Sequence, residues 1–245
     1  MSEYGVRPAL PFTVILHDTI DAVPRGAWDA CAEGLVESWA YLRAVERSAI
    51  PGFELFYISV RAGDALLACA PAFVTDYPLE TTVGGPLKTA VTATRRLWPR
   101  FLKPKLASLG SPVTEWAALA VAPTRSAEDR TALVGALIEG LMRRARERGA
   151  ALLAIKDAPD AVVFVRTAAE MNGFAPMASL PEASIDLSAM TDEAGYWASL
   201  SKATRKDLRR KLKGGSAVRI ERSRDLAPLA ADIDRLYAAT RARSD

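Results

Sequence analysis

The spacing of apolar positions changes along this chain, and the changes mark out its elements. Residues 12–16 (FTVIL) read as a first strand, ended by a turn region from Asp18 to Pro24. Pro24 stands near the start of a short helix reaching about Cys31, a place helices favour for proline. Ser38 is set as an N-cap for a helix over 39–47, which Pro51-Gly52 closes. Residues 53–61 and 65–74 read as two strands separated by Ala62-Gly63-Asp64, the plainest hairpin in the chain. Residues 76–100 read as a loop with one short helix, in which Gly84-Gly85-Pro86 is a turn more than a phosphate nest, because Pro86 removes an amide. A further short strand is expected over 106–109.

The stretch from Trp116 to Phe174 organises the rest. Residues 116–121 are a short apolar run. Residues 128–148 are helical by period, with Leu133, Leu137 and Leu141 on one face and Arg143, Arg144, Arg146 and Glu147 on the other. Gly149 stops that helix, and 151–155 is an apolar run of buried-strand type. Strand, helix and strand in this order make a crossover, which implies parallel strands. A second helix then leads to Gly173-Phe174, entering another strand, and 183–187 would close the sheet. From Thr191 a new unit is expected, with helices over 192–200, 201–213 and 226–243 and a strand over 217–221. The predicted fold is α/β (α+β): a mixed central sheet flanked by helices in residues 1–188, and the opening of a second unit in 189–245.

Composition changes this picture little. Half of the 245 residues are hydrophobic and a quarter charged, an ordinary globular balance. The apolar runs fall far short of the ~20 residues a membrane span needs, and the N-terminus lacks the features of a signal peptide. Cys31 and Cys69 make no disulfide framework and, with His17 alone, no zinc site. A reduced, cytoplasmic setting without a bound metal is the expectation. Charge distribution matters more. Residues 201–224 hold ten Lys or Arg against Asp207 and Glu221, so the segment carries +8 and the remainder −5. That asymmetry marks a solvated helix face or an anionic partner.

The element order resembles the GNAT acyltransferase superfamily. There the helix after the central strands opens with R/Q-x-x-G-x-G/A, whose backbone N–H groups hold the pyrophosphate of an acyl-CoA. The matching positions here are Arg130, Leu133 and Gly135, so the first glycine is replaced by leucine. The superfamily's frequent tyrosine, four residues before the Gly-Phe and a proton donor to the leaving thiolate, falls on Ala169. This half therefore looks like the fold without its chemistry. The stretch Leu200-Ser201-Lys202-Ala-Thr204-Arg205-Lys206-Asp-Leu208-Arg209-Arg210 resembles a segment that begins the second half of two-domain GNAT proteins. That branch includes the Fem-type aminoacyltransferases of peptidoglycan bridges, a bacterial setting, and a related biotin-synthesis-like acetyltransferase domain. The resemblance implies acyl transfer from acetyl-CoA or another acyl-CoA to an amine, and a chain that stops early in its second domain. By itself such a chain is expected to be inactive.

Acyl transfer needs positioning, a base for the amine proton and donors for the oxyanion. Glu115 stands where several GNAT enzymes place a base, or is simply exposed. Lys156 and Asp157 end a strand at the edge where α/β ligands collect, or form a surface pair. Lys202, Arg205, Lys206, Arg209 and Arg210 make either a solvated face or a clamp for phosphates of CoA, of a nucleotide-linked precursor or of a tRNA end. Ser201 and Thr204 would cap the turn or donate to the same anion. Three readings follow: an acyltransferase with a small-molecule donor and an amine acceptor; a non-catalytic GNAT-fold module for a diphosphate or nucleotide-linked ligand; and a nucleic-acid binder. The last is disfavoured, because the basic segment has no interleaved aromatics for base stacking.

Overall fold

A computed structural model describes residues 12–79, 102–122, 126–159, 161–178, 185–188, 190, 192–215 and 218–243. The chain divides into two compact units, Met1–Leu180 and Pro181–Asp245. The first contains a sheet of β1 (Thr13–His17), β2 (Phe53–Ala62), β3 (Ala65–Asp76), β4 (Lys105–Leu109), β5 (Ala120–Val121) and β6 (Leu152–Ile155). Its order is β1-β2-β3-β4-β6, with β5 beside β3. Every pairing is antiparallel except β4 with β6, which runs parallel from Leu106↔Leu152 to Leu109↔Ile155. The sheet is mixed and flanked by helices, but the strand that pairs in parallel with β6 is β4, whereas the expected crossover starts from 116–121, of which β5 pairs with β3. Gly84-Gly85-Pro86 lies outside the described residues.

Local signals account for most element boundaries. Ser38 accepts from the Tyr41 amide and starts α2 (Trp39–Arg47), after α1 (Arg25–Cys31). The β2–β3 hairpin turns on Gly63 at φ 55, a left-handed conformation open to glycine, and Ala62 belongs to the strand. The long helix, α3 (Ala127–Arg148), is capped by Ser126 and ends at Gly149 in the left-handed region. Its Leu133, Leu137 and Leu141 are buried as the period requires. Arg144 is buried too, against the expectation of a polar position: it pairs with Asp18 at 2.6 Å and lies over the Phe56 ring. A long stem can cover apolar surface while its head finds a carboxylate.

Both faces of the sheet are covered, which is why β2 reads as an apolar run without clean alternation. Phe56, Ile58 and Val60 point to one core with α3 and with α4 (Val163–Met171). Tyr57 and Cys69 point to the other, with Ile20, Trp28 and Leu42. Trp28 is held by its indole N–H on the Glu37 carbonyl at 3.0 Å and meets the Tyr57 ring edge-on. Helix α3 approaches closely at Gly140, where an added Cβ would lie 2.7 Å from Ile58 Cγ2 and 3.1 Å from Val14 Cγ1.

Several expected strands are shorter or absent. Of 116–121 only Ala120–Val121 pairs. Strand β4 leaves its partner β3 after Leu109↔Ala72, and the edge resumes at Ala120↔Cys69. Pro71 explains the break: its carbonyl accepts from Gly110 at 2.9 Å, so its missing N–H faces the same neighbour and the ladder cannot run on. Gly173-Phe174 does not enter a strand. The Phe174 amide donates to the Ala169 carbonyl at 3.0 Å, and Gly173 at φ 82 closes α4 instead. Residues 185–187 are irregular.

The second unit is helical among its described residues: α5 (Glu193–Ser199), α6 (Lys202–Gly214), a 3-10 turn (Ala227–Leu229) and α7 (Ala230–Arg241). Residues 218–221 form no strand, so the described residues hold no second sheet and no second GNAT-like unit is seen. None of its helices buries a side chain. No helix among the described residues is long and apolar enough to cross a membrane.

Candidate functional site

Three places answer to the residues singled out by sequence. The first is the start of α3. The helix opens at Ala127, so Leu133 and Gly135 stand inside its second and third turns, where their amides are bonded along the helix. They form no ligand loop. The Leu133 side chain is core, and Gly135 has room for a Cβ, which would meet only Asn172 Nδ2 at 3.7 Å. Arg130 lies over the Phe164 ring, 5.7 Å from its centroid. At the helix end itself, Ser126 Oγ accepts from the Asp129 amide at 3.1 Å, and the Arg130 amide reaches the Ser126 carbonyl. Glu128 and Asp129 occupy the first turn. Their charge uses the positive end of the helix dipole that an incoming phosphate would need. Ala169 packs against the core from α4 and supplies no hydroxyl.

The second place is the carboxyl edge of the parallel pair β4 and β6. The loop between Leu109 and Ala120 folds back here and is fastened to the end of β6. Lys156 Nζ donates to the Thr114 carbonyl, to the Glu115 carbonyl at 3.3 Å, and pairs with Asp157 at 2.7 Å. Asp157 sits at φ 45, and its carbonyl accepts from the Ala117 amide. The structure thus brings Glu115, Lys156 and Asp157 together, yet through Glu115's backbone. Its carboxylate is exposed, and three acceptors hold the ammonium. This arrangement ties a loop down.

Nearby, a cavity of about 10 Å³ is lined by Leu42, Leu55, Tyr57, Pro71 and Ser111. That is the room of a single water, far from the several hundred Å³ that small-molecule ligands occupy. The Tyr57 hydroxyl is buried, and burial, then the neighbouring Glu46 carboxylate, push its pKa far up. Sequence gave no sign of it, since a tyrosine in an apolar strand looks like core.

The third place is α6. Ser201 caps it, accepting from the Thr204 amide at 3.1 Å, and so is occupied in the role that N-cap chemistry favours. The basic side chains divide by face. Arg205 donates to the Leu200 carbonyl at 2.9 Å and is half buried; Arg209 lies over the Trp197 ring at 5.8 Å. Arg210 and Lys211 share Asp207, and their hydrogen bonds, Lys211's first, hold that carboxyl below its ordinary pKa. Lys202 and Lys206 are exposed and enter no ion pair among the described residues. With Arg209 and Lys213 they recur at i, i+4, i+7 and i+11, so four cations line one face over about 16 Å. Lys213 belongs to the ten basic residues counted in 201–224 but was not among the five assigned to the clamp, although the row is there in the spacing.

The described residues define a helix-covered mixed sheet followed by a helical unit with a cationic face; they hold no cluster of side chains able to ligate a metal. No family model matches the chain and no curated protein matches it. Solved structures do. A transcriptional regulator from Bacillus halodurans C-125 matches with TM-score 0.44 and 13% identity, over 71% of this chain and 100% of its own. A probable acetyltransferase gives 0.42 and 13%, over 72% and 98%. Ribosomal-protein-alanine N-acetyltransferase from Brucella melitensis biovar Abortus 2308 gives 0.41 and 15%, over 71% and 98%. At such scores and identities these likenesses carry no argument.

Proposed function

We propose that this chain serves acyl transfer to an amine in the manner of the two-domain, Fem-like GNAT proteins, with its first unit as scaffold and α6 as the phosphate-binding element. The cation row Lys202, Lys206, Arg209 and Lys213 carries the reading. Resemblance of the Leu200 to Arg210 stretch and the strand order of the first unit support it. The phosphates it suits are those of acetyl-CoA or another acyl-CoA, or of a nucleotide-linked acceptor. The capped, acid-bearing start of α3 speaks against a donor site there, so this chain is expected to bind phosphate without turning over acetyl-CoA.

Calorimetric titration with acetyl-CoA and with a nucleoside diphosphate sugar, each at low and moderate salt, tests this. Saturable, salt-sensitive binding of one of them is expected, weakened about tenfold or more in a Lys202→Ala/Lys206→Ala variant. Absence of binding to either would sink the proposal. Acetyl-CoA turnover by this chain would relocate the donor site into it. The second reading, a non-catalytic module for an anionic ligand, rests on the same row.

A further inference from the structure

The chain has two cysteines, and the fold brings them together. Cys31 is the last residue of α1 and partly exposed; Cys69 lies in the middle of β3 and is fully buried. Both belong to the core between α1, α2 and the sheet, Cys31 packing against the cluster that holds Cys69 where α1 lies on β3. The contact is held from both sides. Cys69 is fixed by pairing to Ser59 on β2 and Ala120 on β5. Helix α1 is anchored by the Trp28 indole on the Glu37 carbonyl and by Asp29, which accepts from the Trp39 amide at 2.7 Å. No metal-ligating cluster occurs among the described residues, so a third ligand that would turn the pair into a metal site is not provided there.

We propose that Cys31 and Cys69 are a redox-modification site, oxidised by a peroxide to an intramolecular disulfide that joins α1 to β3. The hydrogen bond from Cys69 holds the Cys31 thiol below its ordinary pKa, whereas burial pushes Cys69 well up. The exposed partner is therefore the nucleophile and the buried one keeps its proton until it is needed. The Cys31 thiolate attacks one oxygen of hydrogen peroxide, the O–O bond breaks, and the departing hydroxide takes a proton as water. The Cys31 sulfenic acid is then attacked by the Cys69 sulfur. The S–O bond breaks and the hydroxide leaves with the Cys69 proton as a second water. Two thiols lose two electrons in all, and one peroxide gains them. A dithiol returns the pair to the reduced state by exchange, attacking first at the accessible sulfur.

The test treats the whole native chain with equimolar hydrogen peroxide, then denatures, alkylates and weighs it. The expected product has lost two hydrogens, takes up no alkyl group, yields a Cys31–Cys69 linked peptide, and reverts with dithiothreitol. Its melting temperature should lie above that of the reduced chain. Cys69→Ser should stop at a dimedone-reactive Cys31, and Cys31→Ser should leave Cys69 unoxidised. Oxygen added to Cys31 with Cys69 still alkylated, or disulfides formed only between chains, would overturn the proposal. The wild-type mass decides this even if a variant does not fold.

Discussion

At the scale of single residues, His17 gives the clearest pH signature. Its Nε2 lies 2.8 Å from Ser59 Oγ, and burial, with a smaller effect of Arg61, lowers its pKa below 6.5. The unfolded chain then binds a proton at a pH where the folded one does not, so stability rises with pH across that interval and is lost as pH falls below about 6.5. Urea titrations at stepped pH between neutral and mildly acid should show that fall, and His17→Gln should flatten it. An unchanged slope in the variant would mean another group is responsible. Single residues also set the limit of what the sequence disclosed. Ser38 and Gly149 were legible because caps act on their own neighbours. The Cys31–Cys69 contact and the burial of Arg144 depend on where α1 and α3 land on the sheet, which no local pattern records.

At the scale of elements, α3 shows both sides of this. Its length, apolar face and stop were readable, because one helix has one period. Its start was readable too, at 128 against the observed Ala127, which sets Arg130, Leu133 and Gly135 inside the helix although the resemblance matched them to a pyrophosphate-binding opening. The two inner glycines of α3 separate the roles. Gly135→Ala should stabilise the chain by up to about 1 kcal/mol, since helix propensity improves and the added methyl meets only ordinary contact. Gly140→Ala gains the same propensity but drives a methyl into Ile58, an overpacking that costs about 1–3 kcal/mol, so the net change should be destabilising. Equilibrium denaturation of both variants checks this; equal stabilisation would show that α3 can shift off the sheet. The short β5 and the broken β4 were hidden for a different reason. Pro71 acts across the sheet, on a strand that follows it by more than thirty residues.

At the scale of the whole molecule, the described buried side chains of both cores belong to the first unit. A chain ending at residue 188 should therefore fold, with a melting temperature within a few degrees of the longer chain, as expected when no core is cut. A collapse of that temperature would show that the second unit completes the first. The mixed sheet was legible at this scale, because alternation and helical period repeat over many residues, but not which strand lies beside β6, since β4 and not 116–121 takes that place. The strand expected over 217–221 was not realised in 218–221: an apolar run needs a neighbouring strand, and the described residues of the second unit offer none.

The β2–β3 hairpin has a bearing on how the chain reaches this state. Its two strands are the longest in the sheet, joined by a two-residue turn and buried toward both layers of helices. Closing so short a loop costs little entropy, while β4 and β6 must wait for partners distant in sequence. The hairpin is thus the natural nucleus: the amides of residues 56–60 should be the last to exchange with deuterium in the native protein and among the first protected during refolding.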